Sequence, residues 1–216
     1  MEIRRTANAG ILLKLDGVSI LLDGVSQKVG AYLATPPDIK KWILNEKPDA
    51  FVFTHTHSDH YDPDFAKAYL AAANGVIIGP EDLNGNNRTM RKENIGSVSV
   101  TPVKSRHIGK FGEIEHYSYI IEGTRCVWFL GDASPLQWRQ ESGYPKPDVV
   151  VAPFAYASTE TAWSRTKMLG AEKVVLVHLP DKVNDPDNLW DMVQTATKDT
   201  LGDEIEILAM TEMICI

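Results

Sequence analysis

The stretch Phe51-Val52-Phe53-Thr54-His55-Thr56-His57-Ser58-Asp59-His60 restricts this chain more than any other: an apolar run ends in four metal-ligating side chains within six residues. Residues 50–53 read as a short buried strand aimed at the cluster. Side chains alternate along extended backbone, so His55 and His57 project to the same side and can share one cation. The chain must then turn, because Asp62-Pro63 is a helix start, with Asp as cap and Pro in the first turn. Asp59 and His60 thereby swing to an adjacent position that can hold a second cation. Imidazole with carboxylate is a donor set that suits zinc, manganese or iron.

The flanking patterns supply the elements that such a cluster needs. Apolar runs at 9–15 and 18–23, joined at Asp16-Gly17, predict a hairpin. Residues 38–46 place Ile39, Trp42 and Ile43 at helical spacing, and Lys47-Pro48-Asp49 ends that helix. The helix opened by Asp62 runs through Ala66, Tyr69, Leu70 and Ala73 and should stop at Asn74-Gly75. Strands are expected at 76–78 and 97–103, with the polar stretch 81–94 mostly loop. A second hairpin, 117–121 with 125–130, turns at Gly123-Thr124. Later come a strand at 148–152, a helix at 160–169, a strand at 173–177, a helix at 189–197 and one or more closing strands within 204–214. This order predicts sheets covered by helices on their outer faces. With no internal repeat or low-complexity linker, residues 1–216 read as a single domain.

Composition narrows the function classes. With 44% hydrophobic and 24% charged residues the chain can bury a core. Its 22 Lys and Arg against 29 Asp and Glu give a formal charge of −7, which argues against nucleic acid as the main partner. No signal peptide, membrane span, Walker loop, nucleophile elbow or dinucleotide fingerprint is present. Cys126 and Cys215 both lie in apolar runs and read as reduced core residues, so a cytoplasmic location is expected.

The cluster resembles the H-x-H-x-D-H signature of the metallo-β-lactamase superfamily. That resemblance implies an α+β fold, an αββα sandwich of two mixed sheets with helices outside. In the family the remaining ligands follow as a His, an Asp and a His at strand ends. This sequence has His107 after the strand 98–103, Asp132 in Gly131-Asp132-Ala133, and His178 after 174–177. By that likeness His55, His57 and His107 hold one metal, Asp59, His60 and His178 hold a second, and Asp132 bridges them. The implied cofactor is two divalent ions, zinc first, with manganese or iron as alternatives. Asp59 is implied as the residue that orients the nucleophile or accepts its proton. Asp23 matches an aspartate that braces the histidine loop, although it can equally be read as the opening of an Asp-Gly turn. His116 competes with His107 for its role and is otherwise expected in a loop or pocket. The aromatic residues Trp138, Tyr144, Phe154, Tyr156 and Trp163 follow Asp132 on loops expected near the metals and are candidates to line a substrate pocket, Trp138 and Tyr156 foremost, together with His116.

The pattern is similar to a short single-domain branch that includes ascorbate-6-phosphate lactonase-like proteins. It departs where many relatives carry Gly-His in the first strand, since this chain has Thr6-Ala7-Asn8-Ala9-Gly10. The resemblance implies a hydrolase acting on an ester, lactone or phosphodiester of a small molecule. Alternatives on the same fold are a mononuclear-iron oxidoreductase like the persulfide dioxygenases and a non-catalytic metal-binding module. A small-molecule substrate is the expected partner, with no membrane and no nucleic acid, and oligomeric state has no readable signal.

Overall fold

Apolar side chains that alternate along the strands sort the protein into three buried layers. The structure is a computed structural model and describes residues 1–73, 75–80, 91–110, 113–138, 143–199, 201 and 203–216. In β2 (Ile11–Leu15) and β3 (Val18–Leu22), Ile11, Leu13, Ile20 and Leu22 face one layer while Leu12 and Leu21 face another. β4 (Ala50–Val52) splits likewise, with Ala50 and Val52 on one side and Phe51 on the other. The second set of strands repeats the pattern. In β8 (His116–Glu122), β9 (Cys126–Phe129), β10 (Val149–Pro153) and β11 (Lys173–Val177), Tyr119, Phe129, Val151 and Val175 face the shared layer. Ile120, Trp128, Val150 and Leu176 face outward.

The shared layer is the space between two sheets. One is six-stranded, order β13-β1-β2-β3-β4-β5, where β1 is Glu2–Arg5, β5 is Val76–Ile78 and β13 is Met213–Cys215. The other is seven-stranded, order β12-β11-β10-β9-β8-β7-β6, where β6 is Glu93–Ile95, β7 is Val98–Ser105 and β12 is Ile205–Ile207. Both are mixed: β3, β4 and β5 run parallel, as do β9 to β12, and the remaining pairs are antiparallel. The outer face of the first sheet is covered by α1 (Pro37–Glu46) and α2 (Pro63–Ala72) through Ile43, Phe65 and Tyr69. α3 (Glu160–Lys167) and α4 (Leu189–Thr197) cover the second through Trp163, Trp190 and Val193. This is the predicted αββα sandwich.

Local chemistry accounts for the helix ends. Asp62 accepts hydrogen bonds from the N–H groups of Asp64 and Phe65, with Pro63 in the first turn. Lys47 closes α1 in the left-handed region, φ 50°, its N–H donating to the Ile43 carbonyl. α2 ends at Ala72; Asn74, where a stop was expected, lies outside the described residues.

Two expectations are corrected. Of the stretch 81–94, residues 81–90 lie outside the described residues, but Glu93 and Asn94 belong to β6 and pair with β7 rather than forming loop. The polar sequence misled because β6 is an edge strand, with solvent beside it. The two cysteines are not core residues: Cys126 is half-buried and Cys215 exposed. β13 is also an edge strand, packing Ile214 inward and leaving Met213 and Cys215 outside.

Arg5 ties this frame together at the end of β1. Its guanidinium is buried and donates to the carbonyls of Ala7, Asn8, Leu179 and Leu208, joining the first strand to segments far along the chain. Burial lowers its pKa to about 10, with the charges of Glu212 and Asp181 opposing, so it stays cationic. Arg5→Met should strand the carbonyls of Ala7, Leu179 and Leu208, leaving that of Asn8 with the His178 N–H, and lower stability by about 3 kcal/mol or more, read by urea unfolding.

Candidate metal centre

The strand directions decide where the chemistry gathers. β3 and β4 are parallel, and β9, β10 and β11 are parallel. β7 is antiparallel to β8, which is antiparallel to β9, so β7 and β9 run the same way. Asp23 follows β3, residues 53–60 follow β4, His107 follows β7, Asp132 follows β9 and His178 follows β11. Carboxyl ends of parallel strands are where open α/β sheets leave a crevice.

Asp23 sets the inner support of this crevice. Fully buried, it accepts the Thr54 N–H through Oδ1 at 2.7 Å, and through Oδ2 the Thr54 hydroxyl at 2.7 Å and His60 Nδ1 at 2.8 Å. Because the Thr54 hydroxyl donates to Asp23, its oxygen accepts from His55 Nδ1, 2.9 Å away. Both imidazoles therefore carry their protons on Nδ1 and turn Nε2 inward. His107 is fixed the same way, with Nδ1 donating to the Ile108 carbonyl at 2.8 Å. Such partners fix tautomer and ring orientation in metal sites.

The inward atoms converge. His55, His57 and His107 form one group, His55, His60 and Asp132 a second, and Asp59, His60 and His178 a third, with each group's ligand atoms within 4.8 Å of one another. The structure thus brings together all seven side chains singled out in the sequence. Asp132 Oδ2 is central: it lies 3.3 Å from His60 Nε2, 3.5 Å from His178 Nε2 and 3.6 Å from His107 Nε2. Asp59 Oδ2 stands 3.3 Å from His178 Nε2.

The electrostatics fit cations. Burial works against charge on His178, but Asp132 and Asp59 outweigh it and push its pKa up to about 9. Burial is likewise overcome at His60, where Asp132 and Asp23 raise the pKa well above the usual imidazole value. Burial also opposes ionisation of Asp132 and Asp59, yet His178 and His60 hold both carboxylates below their ordinary range. On the other side, burial and then the neighbouring imidazoles keep His55 well below its usual value, and His57 is lowered for the same reasons. Ionised carboxylates that draw positive charge, beside neutral imidazoles facing the same point, are the donor set of a divalent-metal site.

The sequence profile of the beta-lactamase superfamily domain matches residues 2–178. The chain belongs to the metallo-β-lactamase superfamily. Among solved structures it is similar to the isothiocyanate hydrolase from Delia radicum gut bacteria, at 17% identity and a TM-score of 0.73, over 100% of this chain and 99% of that one. It is similar also to a possible metal-dependent hydrolase from Veillonella parvula DSM 2008, at 15% identity and a TM-score of 0.75, over 100% and 99%. CmlA, a diiron β-hydroxylase from Streptomyces venezuelae, matches at 15% identity and a TM-score of 0.68, over 100% of this chain and 54% of that one. At these identities the likeness is one of fold. A search of curated proteins found no match.

Within this superfamily fold, His116 has a place that its sequence context hid. It opens β8 opposite Ser105 at the same sheet edge as the ligands, and it is fully buried. The Asp132 N–H donates to His116 Nε2 at 3.0 Å, so the ring proton sits on Nδ1 and donates to Ser105 Oγ at 2.7 Å. Ser105 then donates to Ser118 Oγ at 3.1 Å, and Ser118 to the Leu130 carbonyl at 2.8 Å. The circuit starts and ends on the turn that carries Asp132. Gly131 shapes that turn with φ 52°, and a Cβ there would lie 2.5 Å from Thr54 Cγ2.

The pocket expectation for His116, Trp138 and Tyr156 is corrected. Trp138 and Tyr156 are buried in the layer under α3 and α4, where Trp138 packs on Trp128 with ring centroids 5.2 Å apart. Tyr156 donates to the Ala133 carbonyl at 2.9 Å, bracing the segment after Asp132 from behind. The helices bring apolar faces to this side of the sheet, and the aromatic bulk fills the gap. The cavity over the cluster, of about 580 Å³, is lined by Phe154, the one of the five aromatics after Asp132 that reaches it, and by Val29, Ile108 and Tyr32 beside His57, Asp59, His107, Asp132 and His178. Sequence reasoning missed Tyr32, whose ring stands edge-on to His178 at 4.8 Å. It also missed the role of Asn8, which sets its amide 3.4 Å from each His178 ring nitrogen.

His116→Leu should leave the Asp132 N–H unpaired, lower stability by about 1–3 kcal/mol and reduce metal retained through gel filtration, whereas His116→Gln keeps an acceptor and should retain more of both. Burial pushes the His116 pKa down to about 3. An unfolded histidine takes up its proton near pH 6.5, so this group's stabilisation is full above that value and is lost as pH falls toward the folded value. Thermal midpoints of metal-free protein between pH 7 and 4 should therefore fall more steeply for wild type than for His116→Gln; parallel profiles would contradict the burial argument.

Proposed function

We propose that the protein is a metal-dependent hydrolase with a two-cation centre, acting on an ester, lactone or phosphodiester of a small molecule. The observation that carries this reading is the position of Asp132, one carboxylate oxygen within 3.3 to 3.6 Å of Nε2 atoms from both halves of the cluster. His55, His57 and His107 would hold one ion, and Asp59, His60 and His178 the other, with Asp132 shared. Divalent ions there supply a lowered water pKa and polarisation of the carbonyl or phosphoryl oxygen. Zinc is the first candidate, and manganese or iron suit the same donors.

The chain's own groups divide the remaining work. Asp59 stays ionised at the cavity wall and accepts a hydrogen bond from the attacking water, an orienting role that its depressed pKa favours over proton uptake. The water oxygen bonds to the acyl carbon or phosphorus, the bond to the leaving oxygen breaks, and the released proton ends on that oxygen. Asp23 and Thr54 hold His55 and His60 in the tautomers that face the reaction. Ile108, Phe154 and Val29 give the cavity apolar walls that limit competing water.

The apolar walls of the cavity and the charge of −7 support a small-molecule substrate over nucleic acid. Among the described residues no helix is long and apolar enough to cross a membrane. We read residues 1–216 as one cytoplasmic domain. The likeness to a diiron β-hydroxylase favours one second reading, an iron-dependent oxidoreductase, because the histidine and carboxylate side chains gathered here also suit iron.

Protein purified without chelators should carry close to two equivalents of zinc or manganese by elemental mass spectrometry. Asp132→Ala should lose metal and at least about a hundredfold in hydrolysis of p-nitrophenyl acetate or bis-p-nitrophenyl phosphate. Iron at one or two equivalents, without hydrolysis, would move the assignment to the oxidoreductase; no metal after reconstitution would sink both.

A further inference from the structure

A second cavity, of about 470 Å³, adjoins the first, and Tyr32 is a wall of both. Tyr32 closes a small hairpin tip in which Val29 and Tyr32 exchange backbone hydrogen bonds of 2.9 and 3.0 Å around Gly30, φ 56°. Asn184 latches the tip by donating from Nδ2 to the Ala31 carbonyl at 3.0 Å. The divider between the cavities is therefore held from both sides of the chain. Asn8 is a second link: it lines the outer cavity while its amide approaches His178 of the inner one.

The outer cavity is built for an uncharged occupant. Its walls include Leu33, Leu179, Trp190 and Met210. The Trp190 ring is fixed by an Nε1–H bond to the Pro180 carbonyl at 2.9 Å. Two cations, Arg5 and Lys182, stand against two acids, Asp181 and Glu212, so the lining has no net formal charge. Neither cation is aimed as an anion receptor: Arg5 spends its donors on four carbonyls, and the Lys182 ammonium lies 4.5 Å from the centre of the Trp190 ring. Exposed apolar side chains also stand at both cavities: Leu33, 49% exposed, on the wall of the outer one and Val29, 40% exposed, on the wall of the inner one. Exposed apolar side chains gathered at a cavity mouth mark a binding surface.

We propose that the outer cavity is a substrate subsite that takes an uncharged apolar arm, alkyl or aryl, of a molecule whose scissile group lies at the histidine cluster, with Tyr32 as the divider over which the arm passes. This rests on the hydrolase reading above and adds the substrate class: amphiphilic esters or lactones with an apolar tail. An arm of the same molecule is favoured over a separate ligand because the two cavities share the Tyr32 wall and because Asn8 lines the outer one while its amide reaches His178 of the inner one.

The test uses p-nitrophenyl acetate, butyrate, hexanoate and octanoate with metal-loaded protein, and 1-hexanol titrated into metal-free protein with tryptophan fluorescence as readout. kcat/KM should rise at least about tenfold from acetate to octanoate, since each buried methylene contributes several-fold. Leu33→Asp, a change at an exposed position, should lower the octanoate-to-acetate ratio toward one. Hexanol should alter the fluorescence saturably, and Trp190→Phe should abolish that response. Acetate hydrolysis with a flat chain-length profile and no saturable hexanol response would overturn the subsite while leaving the hydrolase. Saturable hexanol binding that Trp190→Phe abolishes, with no ester cleaved at any length, would overturn the hydrolase reading while leaving the apolar cavity.

Discussion

The carboxylate of Asp23 is the group on which the rest of the site depends. An ionised side chain with no solvent exposure is costly unless its oxygens are satisfied. Here three donors satisfy them, and all three come from the loop that carries the histidines. The same hydrogen bonds that make burial of Asp23 tolerable thus choose the Nδ1–H tautomer of His60 directly and of His55 through Thr54. The donor atoms then face one another across a few ångströms, His60 Nε2 to His178 Nε2 at 3.1 Å and His55 Nε2 to His57 Nδ1 at 2.9 Å. Remove the carboxylate and the rings lose both their orientation and the electrostatic reason for it.

Support of this kind recurs at each ligand-bearing turn, by different chemistry. The Asp132 turn is closed by the circuit through His116, Ser105 and Ser118 and braced behind by Tyr156. The His178 turn hangs on Arg5, which binds the Leu179 carbonyl and also the Asn8 carbonyl that accepts the His178 N–H. The circuit at Asp132 comes from neighbouring strands of the same sheet, Tyr156 from the layer under the outer helices, and Arg5 reaches the His178 turn from the opposite sheet. The two sheets therefore cannot slide relative to each other without misplacing a ligand, and packing of the sandwich and geometry of the site are one problem.

How far the sequence was legible follows from the range of each signal. The hairpin at Asp16-Gly17, the cap at Asp62-Pro63 and the spacing from His55 to His60 act over a few residues, and the structure reproduces the elements they announce. The in-line order of His107, Asp132 and His178 was readable because each ends an apolar strand. His116 was not, because its partner Asp132 is sixteen residues away and meets it only once β9 has turned back against β8. The role of Thr54 was not readable either, because its bond to Asp23 spans thirty-one residues. Trp138 and Tyr156 misled for a general reason: a large aromatic near a site can fill either the pocket or the wall behind it, and only the packing of α3 and α4 decides.

Backbone strain shows where function has been bought at the expense of ease of folding. Three of the ligand or support residues leave their strands through left-handed backbone: Asp23 at φ 46°, Gly131 at 52° and His178 at 65°. Gly131 adopts this conformation freely, but for Asp23 and His178 it costs on the order of 1–3 kcal/mol each. A glycine would relieve the strain at either position and would delete the side chain that the site needs. The strained conformation folds each side chain back over the sheet edge, so that Asp23 reaches the histidine loop and His178 reaches Asp132. The strain persists because neighbouring contacts outweigh it: the three donors on Asp23, and the Asn8 carbonyl and Arg5 at the His178 turn. A fold stabilised for its own sake would have no use for either residue. Their presence at the carboxyl ends of two different sheets is the physical signature of a site held ready for a ligand.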